Sequence, residues 1–189
     1  MTRGLRNNNP LNIRHSNDKW QGIVTTQTDA AFVQFRSMAY GYRAAWKTLD
    51  SYYRRFRSER KPYTVRTIIS RWAPPSENDT EAYIRAVVRL SGLGGNETIT
   101  RPCIHRAFGR LGVTARLIAA MTCVENGIRM NQVDMEAVWQ GYDLAYPGRR
   151  LKGLAEEAME EERGGKVDEP TDAELAEIDF NDYICAEND

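Results

Sequence analysis

From residue 39 onward the apolar side chains of this chain recur at helical spacing. Tyr42, Ala45, Trp46, Leu49, Tyr52, Tyr53 and Phe56 follow one another at three- and four-residue steps. That period gathers them on one face of an α-helix, whereas a strand would alternate its faces every second residue. A helix is therefore predicted over residues 39–57. A second, Val65–Trp72, must stop ahead of Pro74-Pro75, because the residue before a proline is driven out of helical geometry. Asp79 or Thr80 caps a third, which carries Ala82, Tyr83, Ala86, Val87 and Leu90 and ends at Gly92. Two more, Thr114–Glu125 and Asp134–Tyr146, are stopped by Asn126-Gly127 and Pro147-Gly148. Only the N-terminal part reads differently. After the turn-rich Asn7-Asn8-Asn9-Pro10, the β-like runs Trp20–Thr26 and Ala31–Phe35 predict a small hairpin or ribbon within residues 20–36. The expected class is mainly α with a small β-hairpin.

Charge divides the chain into two regions. Residues 151–189 hold 3 Lys/Arg against 14 Asp/Glu, while residues 1–150 hold 23 against 12. The expected organisation is one domain over 1–150 followed by an acidic, flexible tail over 151–189. The basic body suits an anionic partner and does not choose among nucleic acid, lipid and cell-wall polymer. No recognised nucleic-acid reader motif is present, so specific nucleic-acid binding is not expected. No apolar run approaches the ~20 residues that span a bilayer, and the first residues lack the apolar core of a signal peptide. Cys103, Cys123 and Cys185 are scattered without metal-ligand or disulfide spacing, so reduced thiols, no metal and no cofactor are expected.

The most informative segment is Leu117–Gly127. An almost wholly apolar helix presents a single carboxylate, Glu125, at its last turn, directly before a glycine stop. Burial and the partial negative charge of a helix C-terminus both disfavour an ionised carboxylate in such a place. A glutamate so placed is suited to hold a proton and deliver it to a leaving-group oxygen.

Ala120-Met121-Thr122-Cys123-Val124-Glu125-Asn126-Gly127 resembles the catalytic helix of lysozyme-like glycosidases and lytic transglycosylases, with Asn126 where serine is commoner. Asn7–Arg14, Trp20-Gln21-Gly22 and Phe32–Phe35 resemble a stretch of bacterial glucosaminidases in which the catalytic helix comes first; here it comes after, as in a circular permutation. The wider pattern adds Tyr40-Gly41-Tyr42-Arg43-Ala44, Arg71–Pro75 and Glu77-Asn78-Asp79-Thr80. Over residues 3–146 it resembles a family of phage and prophage virion proteins with a lysozyme-like fold. The resemblance implies cleavage of the β-1,4 bonds of bacterial peptidoglycan, with Glu125 as general acid. It also implies a protein made in the host cytoplasm, carried in the virion beside other virion proteins and acting at the cell wall.

Asp29, in the expected hairpin, is the candidate second carboxylate, ahead of Glu77 and Asp79 in the Pro-Pro loop. Trp20, Tyr40, Tyr42 and Trp72 could stack on sugar rings while Asn8, Asn9 and Glu77 meet hydroxyls. Two other readings stand beside this one. A non-catalytic virion or wall-binding protein fits the same residues. A cysteine amidase would need Cys103 to meet His15 or His105, and Cys103-Ile104-His105 is too local for that pairing.

Overall fold

The computed structural model describes residues 1–99 and 112–148. The acidic segment 151–189, together with Cys103, His105 and Cys185, lies outside the described residues.

Six α-helices order the described residues: α1 Arg3–Arg6, α2 Met38–Ser58, α3 Val65–Trp72, α4 Thr80–Ser91, α5 Val113–Asn126 and α6 Met135–Ala145, with a 3-10 turn at Met130–Gln132 before α6. The predicted helices agree with α2 to α6 within a residue or two at each end. Their stops are chemical. Asp79 and Asp134 each accept a hydrogen bond from the backbone N–H three residues on, at 2.9 Å, and so cap α4 and α6. Thr64 and Thr67 form a reciprocal capping box at the start of α3. Gly127 ends α5 at φ 59, a left-handed conformation that costs glycine nothing and that β-carbon-bearing residues rarely take.

Helix α2 runs about 30 Å and packs mainly along α6. The two backbones meet at Gly141, where a β-carbon would lie 2.6 Å from the Tyr42 β-carbon and 2.8 Å from the Arg43 nitrogen. Trp46 is buried between them, donates its indole N–H to the Val138 carbonyl at 3.0 Å and meets Tyr142 edge-on at 5.0 Å. Helix α5 passes through the middle of the core, with Leu117, Ile118, Ala119, Ala120 and Met121 all fully buried. Helix α4 packs on it, α3 packs in turn on α4, and the N-terminal segment crosses its C-terminal end.

The predicted hairpin is replaced by something less regular. Two isolated antiparallel bridges occur in this region, Arg14 with Phe32 and Ile23 with Phe35. Residues 31–36 thus pair first with 13–15 and then with 22–24, so no two segments share a continuous ladder. Side-chain amides satisfy the backbone instead. Asn9, fully buried, donates to the carbonyls of Ile13 and Val33 and accepts from the Ile13 N–H. Gln34 accepts from the backbone N–H groups of Thr28 and Asp29, while Gln27 accepts from that of Gln34 and donates to its carbonyl.

Candidate active site

The C-terminal end of α5 is where four distant parts of the chain converge. Asn126, 5% exposed, donates to the Pro10 carbonyl at 2.7 Å and accepts from the Thr2 hydroxyl at 2.7 Å. These bonds dock the N-terminal segment on α5 and bring Asn12 to Glu125. The glutamate is half-buried, and three neutral donors hold its carboxylate. The Trp72 indole N–H meets Oε1 at 2.8 Å, the Tyr83 hydroxyl meets the same oxygen at 2.9 Å, and the Asn12 amide meets Oε2 at 3.0 Å. No Lys, Arg or His pairs with Glu125 among the described residues.

Each donor is set by its own element. Trp72 occupies the last turn of α3, on the side of that helix shared with Val65, Ile68 and Ile69. Tyr83 lies on the buried face of α4, one turn after the Asp79 cap. The loop joining these helices is closed by the Thr80 hydroxyl, which donates to the Ala73 carbonyl at 2.6 Å. Asn12 takes φ 51, and its Oδ1 is buried without a donor among the described residues. Burial, and then the neighbouring Glu125 carboxylate, push the Tyr83 phenol well above its ordinary range, so it stays a neutral hydroxyl.

The indole N–H and the amide NH2 can only donate. The phenol can donate or accept. Oε1 accepts from both Trp72 and Tyr83, whereas Oε2 accepts from the Asn12 side chain alone among the described residues and keeps a lone pair for a further partner.

The sequence candidates separate into three groups. Glu125 and Trp72 come together as just described. Asn8, Asn9, Tyr42 and Asp29 serve the fold. Asn8 donates to the Phe35 carbonyl at 3.0 Å and Asn9 is consumed by backbone groups. Tyr42 is buried beneath α6, and its phenol is pushed up to about 12 mainly by burial. Asp29 accepts two hydrogen bonds from Arg3, one from Asn7 and one each from the Ala31 and Phe32 N–H groups. Its carboxyl is held far below the usual carboxylate range, chiefly by Arg3. The third group makes no hydrogen bond to the Glu125 carboxylate. Trp20 and Tyr40 are half-buried, the latter under the Arg36 guanidinium at 5.6 Å, and Glu77 is exposed in the Pro-Pro loop. Glu77 and Tyr40 make no contact with Glu125 in its hydrogen-bonding shell.

Sequence reasoning missed Tyr83 and Asn12. Tyr83 sits at an inward position of a helical period and reads as core, and the approach of Asn12 depends on a docking more than a hundred residues along the chain. Cys123 is buried in α5 against Met130, with its thiol pushed up to about 11 by burial, which suits a packing role. Among the described residues no grouping of His, Cys, Asp and Glu could hold a metal ion, and no helix is long and apolar enough to cross a membrane.

No protein-family model matches the chain. It is 33% identical over 152 residues to Protein P5 of Pseudoalteromonas phage PM2, a match that covers 77% of this chain and 83% of that protein.

Proposed function

We propose that this chain, which belongs to the family of Protein P5 of Pseudoalteromonas phage PM2, is a peptidoglycan glycosidase of lysozyme-like type whose general acid is Glu125. The observation that supports the reading is the convergence of Asn12, Trp72 and Tyr83, from three separate segments, on one half-buried carboxylate at the end of an apolar helix. Fixing both oxygens is what a proton donor needs, because the proton must point at one glycosidic oxygen.

In this reading the glycan C–O bond breaks as Glu125 protonates the leaving oxygen. Asp29 has all its near neighbours as hydrogen-bond donors from its own chain and is assigned no chemical step. That favours attack at the sugar carbon by a hydroxyl of the same residue, which returns its proton to Glu125 and leaves an anhydro terminus, over water activated by a second carboxylate. Half-buried Trp20 and Tyr40 are assigned to sugar stacking, and exposed Glu77 to contacts with hydroxyls. The protein acts at the cell wall after delivery with the virion.

A second reading, a non-catalytic virion or wall-binding protein, is favoured by one specific fact: the Glu125 oxygens are engaged by groups of the chain itself, as those of a structural carboxylate would be. A peptidoglycan zymogram across about pH 5 to 8 separates the two. Clearing by the wild type and none by Glu125→Gln supports the glycosidase. No clearing by the wild type at any pH supports the structural reading.

A further inference from the structure

The opposite face of α3 carries a different kind of site. Thr67, Ser70, Arg71 and Pro74 follow the i, i+3, i+4, i+7 pattern and, with Arg66, wall a cavity of about 500 Å³. Its other wall is the end of α2 and the turn beyond it, Arg55, Phe56, Glu59 and Lys61. The volume lies within the range of small-ligand pockets. Four cations and one carboxylate face it.

Those cations are held in place. Glu59 pairs with both Arg55 and Lys61 at 2.8 Å. Arg66 pairs with Glu81 and donates to Asn96. Arg71 lies over the Tyr52 ring at 4.9 Å and has no carboxylate partner among the described residues. With Glu59 and Glu81 each taken once, two positive charges remain uncompensated around this surface among the described residues. The turn that shapes it is strained. Arg60 takes φ 54, a left-handed conformation in which a β-carbon costs about 1 kcal/mol. It lets the Lys61 N–H reach back to the Phe56 carbonyl at 2.8 Å and swings Lys61 toward α3.

We infer that this cavity binds a phosphate or pyrophosphate group carried on a small molecule the size of a sugar or nucleoside. Planar guanidinium forks match phosphate oxygens in pairs, and a dianion balances the two residual charges. The exposed Ser70 hydroxyl can donate to a further oxygen, the Thr67 hydroxyl being spent on the Pro62 carbonyl at 2.8 Å, while Phe56 and Pro74 offer an apolar floor to the carrier. The site is separated from Glu125 by the body of α3, so it stands whether or not the glycosidase reading holds.

Calorimetric titration of the full chain at low ionic strength tests this, with inorganic pyrophosphate as probe and a sugar monophosphate, a nucleoside monophosphate and phosphatidylglycerol vesicles as further arms. Saturable one-site binding of pyrophosphate and of at least one phosphorylated small molecule is expected. Arg71→Ala and Lys61→Ala should each weaken it about tenfold with unchanged circular dichroism, and Glu125→Gln should bind as the wild type does. No saturable pyrophosphate binding, binding indifferent to both substitutions, or binding to vesicles alone would overturn the assignment.

Discussion

At the scale of single residues, two carboxylates that look alike in the sequence have opposite surroundings. Among the described residues Glu125 meets only neutral donors. Asp29 is clamped by a guanidinium, an amide and two backbone N–H groups. A carboxyl whose folded pKa is depressed contributes stability that is present above its unfolded value, about 3.9, and is lost as pH falls through the folded value. Thermal denaturation from neutral to acid pH checks this. The wild type should lose melting temperature below about pH 4, and Asp29→Asn should be less stable at pH 7 but show a shallower acid dependence. Tyr83→Phe removes one of the two donors to Glu125 Oε1. It should cost about 1 kcal/mol of stability by chemical denaturation and, in the glycosidase reading, lower clearing activity about tenfold or more.

Of these residues, Glu125 was legible because an apolar run ending in one carboxylate and a glycine is conspicuous. Asp29 was legible as a special aspartate but not as a clamped one. Its partner Arg3 lies 26 residues away, and nothing local announces the pairing.

At the scale of elements, the helices could be read because each carries its own period and its own stop. Asp79, Asp134, Gly92 and Gly127 all end helices where the sequence placed the ends. The hairpin could not be read correctly. Its residues have strand-like composition, but the choice between a ladder and a looped network rests on Asn7, Asn9, Gln27 and Gln34, whose amides take over backbone bonding. Polar side chains that compete with a ladder look the same as ordinary turn residues in a linear sequence. Helix α1 was missed because four residues are too few to show a period. Gly141→Ala tests the α2–α6 contact. The new methyl would press on the α2 backbone, and a loss of about 1–3 kcal/mol is expected by urea denaturation, with full expression and unchanged stability contradicting the close packing. Arg60→Gly goes the other way. Relief of the left-handed strain should raise stability by about 0.5–1 kcal/mol.

At the scale of the whole molecule, the N-terminal segment and the end of α5 act as one unit. Thr2, Pro10 and Asn12 all bond to Asn126 or Glu125, so segments distant in sequence assemble the site together. Asn126→Ala should disconnect the two by removing three hydrogen bonds at a buried position. A loss of about 2–4 kcal/mol by denaturant unfolding is expected, together with faster proteolysis near the N-terminus; cleavage at the wild-type rate would argue against the docking.

In the glycosidase reading Glu125 protonates a glycosidic oxygen of the bacterial wall. Mass spectrometry of purified peptidoglycan after incubation with wild type and with Glu125→Gln tests it most directly. New glycan termini, anhydro-muramyl in form, are expected from the wild type and none above background from the variant. Intact glycan strands in both, or equal cleavage by the variant, would contradict it.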